Sequence, residues 1–159
     1  MVIGWAEEVA LPDLGIVHIR AKIDTGARTS ALHATQQEEF LREGQPWVRF
    51  HVAIPGTPRT TRVEAPLVDR RDIRNTSGTA ETRHVILTTL RLGGRRWKIE
   101  VSLADRANMG FDLILGRTAL RRRGILVDPG RSRLAGAPSA PRAPRSGGPS
   151  AKGKSGETK

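Results

Sequence analysis

The residues with the clearest chemical potential are Asp24, Thr25 and Gly26, which follow an apolar stretch of the 159-residue chain. Alone, Asp-Thr-Gly is more typical of a turn that closes a strand. Peptide hydrolysis by carboxylates needs two of them, one acting as base toward water while the other, protonated, polarises the carbonyl. Two carboxylates about 3 Å apart cannot both ionise, so such a pair shares one proton and titrates as a unit. No other aspartate here precedes Ser/Thr-Gly, so the second carboxylate would come from an identical chain across a two-fold axis.

A second segment lies 92 residues after Asp24, where the apolar run Leu-Ile-Leu at residues 113–115 ends in Gly116 and Arg117. Between the two motifs, Gly93-Gly94 predicts a β-hairpin. Asp-Thr-Gly-Ala, a hairpin, and then an apolar run ending in Gly-Arg form the pattern of the retroviral-type aspartic proteases, which this sequence resembles. Residues 75–80 lie where the flap tip of those enzymes would be. The spacing is longer than in a minimal retroviral enzyme, and a strand pair over residues 47–68 can absorb the excess.

The resemblance narrows to one bacterial family over roughly residues 2–133, and the thirteen residues 21–33 are its most specific block. The other matching blocks are residues 3–5, 11–16, 47–50, 81–86, 115–117 and 127–129. Members of this family have been labelled ATP-dependent zinc proteases and are now described as retropepsin-like. They are often associated with ATP-grasp ligases that add glutamates to a ribosomal protein. One departure is Ala6, where the family pattern leads us to expect arginine.

The resemblance implies an all-β, retropepsin-like half-barrel with one or two short helices, active as a homodimeric aspartic endopeptidase on peptide or protein substrates. It assigns catalysis to Asp24 of each chain, with Thr25 bonding across the dyad and the Gly26 N–H facing the carboxylate. It also assigns residues to substrate binding and to structural support of the Asp-Thr-Gly loop. The substrate-binding set is Ala27, Arg28, Ser77 and Gly78, and the supports are Gly116 and Arg117.

The elements that must position these residues are mostly short strands separated by turns. Alternating polarity and turn residues predict strands over residues 16–24, 47–54, 60–68, 83–92, 96–103, 111–115 and 124–128. Residues 29–42 and 118–123 are predicted to be helical. The domain is predicted to span residues 1–134. Residues 135–159, which contain no Leu, Ile, Val or Phe, are predicted to form a disordered basic tail.

Composition excludes several other function classes. The chain has no cysteine, which removes disulfides and thiol chemistry, and its four histidines lack paired ligand spacing, so no metal or cofactor is predicted. No phosphate-binding motif is present, so any dependence on ATP would belong to a partner. The lack of a long apolar run and of a signal-like N-terminus predicts no membrane association and a cytoplasmic location.

The formal charge of +11 leaves the choice of partner open. A solvated arginine-rich surface is the plainer interpretation, and contact with a ribosome or an acidic partner is the alternative. The sequence does not favour binding to nucleic acid, because the few aromatic residues do not alternate with basic ones. A second hypothesis is therefore a non-catalytic module that binds an ATP-grasp ligase or ribosomal component, with Arg28 restricting access to the loop. A metallopeptidase is carried mainly by the historical label, with His33, nine residues after Asp24, as the best candidate ligand.

Overall fold

The structure is a computed structural model that describes residues 1–74, 77–105 and 110–138. The predicted all-β class is confirmed, since strands dominate and a single α-helix occurs within those ranges. The strands are β1 Val2–Gly4, β2 Ala6–Leu11, β3 Ile16–Asp24, β4 Ser30–His33, β5 Thr35–Arg42, β6 Gln45–Ala53, β7 Thr60–Arg74, β8 Ala80–Leu92, β9 Arg95–Ala104, β10 Leu113–Gly116 and β11 Leu126–Asp128. A 3-10 turn covers Pro12–Leu14 and helix α1 covers Arg117–Leu120.

Nine strands form one curved sheet in the order β2-β3-β10-β4-β9-β8-β7-β6-β5. One further pairing, Ala10 with Arg91, brings β2 back against β8. The six strands from β2 to β8 in this order, β2-β3-β10-β4-β9-β8, are therefore arranged like a barrel. Their inward side chains pack into one core together with side chains of β6 and β7, because alternate residues of each strand point to the same face. The largest fully buried core side chains include Phe50, Leu11, Leu32, Ile86, Leu90, Leu103, Leu113 and Leu115.

The remaining strands extend this barrel in two directions. β7 is 15 residues long; its first part pairs with β6 and its second part with β8. We call β5, β6 and β7 the arm. β1 and β11 pair in parallel as a separate two-stranded sheet, with Val2 opposite Leu126 and Gly4 opposite Asp128.

The helix predicted over residues 29–42 is wrong. These residues form β4 and β5, with Leu32 pairing to Leu103 and Leu113, and Phe40 pairing to Trp47. The Gln-Gln-Glu-Glu run favours a helix locally, but pairing with strands distant in sequence outweighs this weak preference. The helix predicted over residues 118–123 begins one residue earlier than predicted, at Arg117. It ends at Leu120 because the backbone of Arg121 is extended.

Part of two predicted features lies outside the described residues, namely positions 75 and 76 of the flap tip and 139–159 of the tail. Within the described ranges, Ala135 packs partly against the core, and its N–H donates to the buried carboxylate of Glu7. No helix in these ranges is long and apolar enough to cross a membrane.

Candidate active site

The carboxylate of Asp24 is held by its own loop, residues 24–29, which we call the active-site loop. Asp24 ends β3 and is half-buried, and its Oδ1 accepts hydrogen bonds from the backbone N–H of Gly26 at 3.0 Å and of Ala27 at 3.2 Å. A Cβ at Gly26 would lie 3.2 Å from that same oxygen, tighter than a usual contact. The two N–H groups therefore fix the orientation of the carboxylate while Thr25 and Gly26 stay exposed.

Gly116 lies directly behind this loop. β10 runs parallel to β3, and its register places Gly116 opposite Asp24. A Cβ at Gly116 would come within 2.8 Å of the Thr29 carbonyl carbon and 2.9 Å of the Ala27 and Arg28 oxygens, all of them backbone atoms. Only glycine fits here without displacing the loop.

Two buried serines, Ser30 and Ser102, hold Gly116 in place from the interior of the domain. The Ser30 Oγ accepts a hydrogen bond from the Gly116 N–H at 3.0 Å, and the Ser102 hydroxyl donates to the Ser30 carbonyl at 2.9 Å. Both serines are almost completely buried. A chain of neutral hydrogen bonds thus joins β9, β4 and β10 under the loop.

Residues of helix α1 donate hydrogen bonds to the backbone carbonyl groups of the loop. The N–H groups of Arg117 and Thr118 donate to the oxygens of Ala27 and Arg28 at 2.9 and 3.1 Å. The Thr118 hydroxyl adds a bond of 2.8 Å to the Arg28 oxygen. The Arg117 Nη1 reaches the oxygen of Gly26 at 3.1 Å and that of Thr25 at 3.4 Å. The two motifs, distant in sequence, therefore form one unit.

A cavity of about 540 Å³ borders this unit. It is lined by residues of the active-site loop, the second half of β7, β8, β9 and helix α1: Ala27, Arg28, Thr29, Arg71, Asp72, Ile73, Arg74, Arg83, Ser102 and Thr118. Ser77 and Gly78 are exposed and do not line it, although the Gly78 oxygen accepts a bond of 2.8 Å from Arg74. The structure thus brings Ala27 and Arg28 to the cavity, together with arginines that the sequence did not single out.

Four arginines and one aspartate surround the cavity. Arg83 is largely buried and bonds to Glu81 at 2.8 Å. Arg71 bonds to Asp69 and Glu100, and the hydrogen bond from Arg71 holds the pKa of the Asp69 carboxyl below its ordinary value. Within the described ranges, Arg28 and Arg74 have no carboxylate in ion-pair contact. The cavity therefore carries an excess of positive charge.

Ser30, Ser102 and Thr118 support the candidate site, and the sequence motifs do not identify them. The available signal was weak: Ser102 is one hydroxyl residue in an apolar strand pattern, and its partner lies 72 residues away. The predicted absence of a metal concerns His33 most directly, and His33 contacts the Ala104 oxygen at 3.2 Å through Nδ1. Across residues 1–74, 77–105 and 110–138, no group of three or more His, Asp or Glu residues could hold a metal ion.

Comparison with known proteins decides the family. Residues 2–138 match the model of a family described as RimB-like, "Retropepsin-like aspartic endopeptidase RimB". The chain belongs to this RimB-like, retropepsin-like family. The resemblance inferred from the motifs is thereby confirmed.

Relatives and a solved structure agree with this assignment. Proteins named "Probable alpha-L-glutamate ligase" from Shewanella pealeana and Desulfotalea psychrophila are 42% and 43% identical over 133 and 130 residues, covering 82% and 80% of this chain. These matches cover only 29% and 28% of the relatives, so the chain spans less than a third of their length. The crystal structure of Lpg0085, a Legionella pneumophila protein of unknown function, is similar with a TM-score of 0.74 and 30% identity, covering 84% of this chain and 97% of that one.

Proposed function

We propose that this chain is an aspartic endopeptidase that acts as a homodimer, with Asp24 of each protomer forming the catalytic pair. The carrying observation is the Asp24 carboxylate, oriented by two loop N–H groups while Gly116 and α1 fix the loop behind it. One carboxylate takes a proton from water as it attacks the scissile carbonyl. The other, protonated, donates a hydrogen bond to the carbonyl oxygen and stabilises the charge that develops there.

Support for dimerisation comes from the terminal sheet of β1 and β11. Each strand pairs only with the other among the described residues, which leaves two open strand edges. Met1, Val2 and Leu126 are exposed there, with Leu126 at 69%. This sheet lies next to β3, the strand that ends at Asp24, because the oxygen of Trp5, just after β1, accepts a hydrogen bond from the Ile23 N–H at 2.8 Å. Open edges beside exposed apolar side chains suit association with a second copy.

The charge of the cavity supports an acidic peptide as substrate. Arg28 and Arg74 lack carboxylate partners in the described ranges and border the space beside the loop. Arginine binds carboxylates through two parallel hydrogen bonds, so acidic side chains of a peptide would be held there. The names of the relatives, which refer to glutamate ligation, fit a substrate rich in glutamate.

The test compares cleavage of acidic, neutral and basic peptides by the wild type and by the Asp24→Asn variant. We expect the wild type to cleave the acidic peptide fastest, with a mildly acidic optimum, because the carboxylate pair must hold one proton. Asp24→Asn should lose all measurable activity. The matched control is Glu43→Gln, which removes one carboxylate from an exposed turn. Equal cleavage by wild type and Asp24→Asn would contradict the proposal.

A second candidate function is a non-catalytic module that binds an ATP-grasp ligase. Its specific support comes from the relatives named as ligases, in which the matching region makes up less than a third of the length. In those proteins a domain similar to this chain is therefore joined to a longer sequence. The test mixes this chain with the remaining part of the Shewanella relative and measures association by calorimetry. Association that survives Asp24→Asn, with no cleavage by the wild type, would favour this function over the peptidase.

A further inference from the structure

A second cavity lies away from the active-site loop, between the 3-10 turn and the hairpin of β8 and β9. Its volume is about 370 Å³, and we call it the distal cavity. Its lining residues are Pro12, Asp13, Thr89, Arg91, Arg96, Trp97 and Lys98, none of which borders the cavity beside Asp24. It is therefore a separate feature that the peptidase proposal does not use.

Arg91 is the unusual residue of the distal cavity. It is only 8% exposed, and its Nε is buried without a hydrogen-bond partner. No carboxylate within the described part of the chain forms an ion pair with it. By contrast Arg83, which is 7% exposed, bonds to Glu81. A largely buried arginine without a carboxylate partner is unfavourable, and Arg91 lines the distal cavity, so an anion that enters the cavity would stabilise its charge.

The register of the hairpin adds a second cation at the same place. Arg91 lies directly opposite Arg96, and Thr89 lies opposite Lys98. Two like charges that face each other across antiparallel strands repel, and no described acid lies between them. This repulsion disappears when an anion bridges the two guanidinium groups.

The acid that lines the distal cavity is already engaged. The Asp13 Oδ2 accepts hydrogen bonds from the Thr89 hydroxyl at 2.6 Å and from Lys98 Nζ at 2.9 Å. The Thr89 bond, followed by the Lys98 bond, holds the pKa of Asp13 below its ordinary value, so Asp13 stays ionised with Lys98 beside it. Arg91 and Arg96 are left without a balancing charge.

We propose that the distal cavity is a binding site for an oxyanion, a phosphate or carboxylate group, held between Arg91 and Arg96. Two guanidinium groups offer planar, paired N–H donors, which match the oxygens of either group. Arg91 supplies a donor whose side chain is already largely buried, so little additional side-chain freedom is lost on binding. Arg96 closes the site from the exposed strand end.

The experiment is calorimetric titration of the whole chain with inorganic phosphate and, separately, with L-glutamate, at ionic strength held constant with sodium chloride. We expect saturable binding of at least one of them at one site per chain. Saturation by phosphate alone identifies a phosphate ligand, and saturation by glutamate alone identifies a carboxylate ligand. Saturation by neither would overturn the proposal.

Three variants locate the site. Arg96→Ala should weaken binding about tenfold, as expected for the loss of a charge-assisted hydrogen bond. Asp13→Asn should strengthen it several-fold, because a negative charge leaves the cavity while the residue keeps its size. Arg59→Ala, an exposed arginine in the turn before β7, removes the same charge elsewhere and should change affinity less than twofold. Equal losses in Arg96→Ala and Arg59→Ala would show diffuse attraction to a basic protein and overturn the site.

Discussion

The active-site loop and the arm are held in place by different kinds of interaction. Behind the loop, the buried contacts are neutral: the Ser30 hydroxyl accepts the Gly116 N–H, and Gly116 packs on the loop backbone. Charged groups contribute at its exposed side, through the Asp24 carboxylate and Arg117. The arm buries Val48, Phe50 and Val52 in the core, but its surface carries exposed ion pairs such as Arg42 with Glu64 and Arg70 with Glu39. Neutral buried hydrogen bonds respond little to salt or pH, whereas exposed pairs respond strongly. The neutral contacts behind the loop should therefore respond less to salt and pH than the ion pairs on the surface of the arm.

The largest effect should come from Gly116→Ala. The added Cβ would meet three backbone atoms of the active-site loop at 2.8–2.9 Å, and none of these can rotate away. We expect a loss of about 3 kcal/mol in the free energy of unfolding, at the upper end for overpacking, together with loss of peptidase activity. Urea denaturation measures the first and peptide cleavage the second.

Gly94→Ala is the matched control, since a Cβ at Gly94 meets no atom within 4 Å. It should unfold at nearly the same urea concentration as the wild type. If Gly116→Ala were equally stable, the loop would be less rigid than its packing indicates, and the contrast with the arm would fail.

A smaller effect is expected for Ser30→Ala. This change leaves the buried Gly116 N–H without its acceptor, which costs about 1–3 kcal/mol. The loss should be the same at low and high salt, because no charge is involved. Ser132→Ala, on the exposed surface, is the control and should be neutral. A strong salt dependence for Ser30→Ala would remove the distinction between the two regions.

The smallest effect, and the one that sharpens the comparison, is the pH response of Glu39→Gln. The hydrogen bond from Arg70, with a further one from His84, lowers the pKa of Glu39 from 4.5 to about 2. Folding therefore disfavours protonation of Glu39, so its stabilisation is present above about pH 4.5 and is lost as the pH falls to about 2. Glu39→Gln should be slightly less stable than the wild type at pH 7 and equally stable near pH 2.

Urea denaturation at pH 7, 4 and 2 measures this response, with Glu43→Gln as the control that removes an exposed carboxylate of the neighbouring turn. A Glu39→Gln deficit that stays constant over this pH range would contradict the assignment of this stabilisation to the ionised Glu39 and its partners Arg70 and His84. High salt at pH 7 should reduce the deficit as well, since it screens exposed charges.

The sequence predicts an element well when the residues that determine it are neighbours along the chain. β3 was predicted with its exact bounds, because polar and apolar residues alternate up to Asp24 and the Asp-Thr-Gly turn ends the strand. Residues 29–42 were misassigned, because their strand pairing depends on β6, β9 and β10 rather than on local composition. The roles of Ser30 and Ser102 were missed for the same reason, since each acts on a residue more than 70 positions away.

The site residues divide in the same way. The motif itself predicted the loop, with Gly116 and Arg117 behind it, and the structure places all of them together. The full charge of the adjoining cavity could not be predicted, because three of its four arginines come from β7 and β8 and meet Arg28 only through the strand register. The roles proposed for Ser77 and Gly78 stay predictions.

The parallel pairing of β1 with β11 also determines how the domain responds to force. Val2 and Asp128 lie at opposite ends of the paired strands. A pull applied through residues 2 and 128 slides the strands along each other, so their hydrogen bonds bear the load together instead of breaking in turn. Glu7 adds bonds to the N–H groups of Leu134 and Ala135 beyond the strand. The domain should thus resist mechanical extraction from either terminus, whereas β5, at the sheet edge, can peel away one bond at a time.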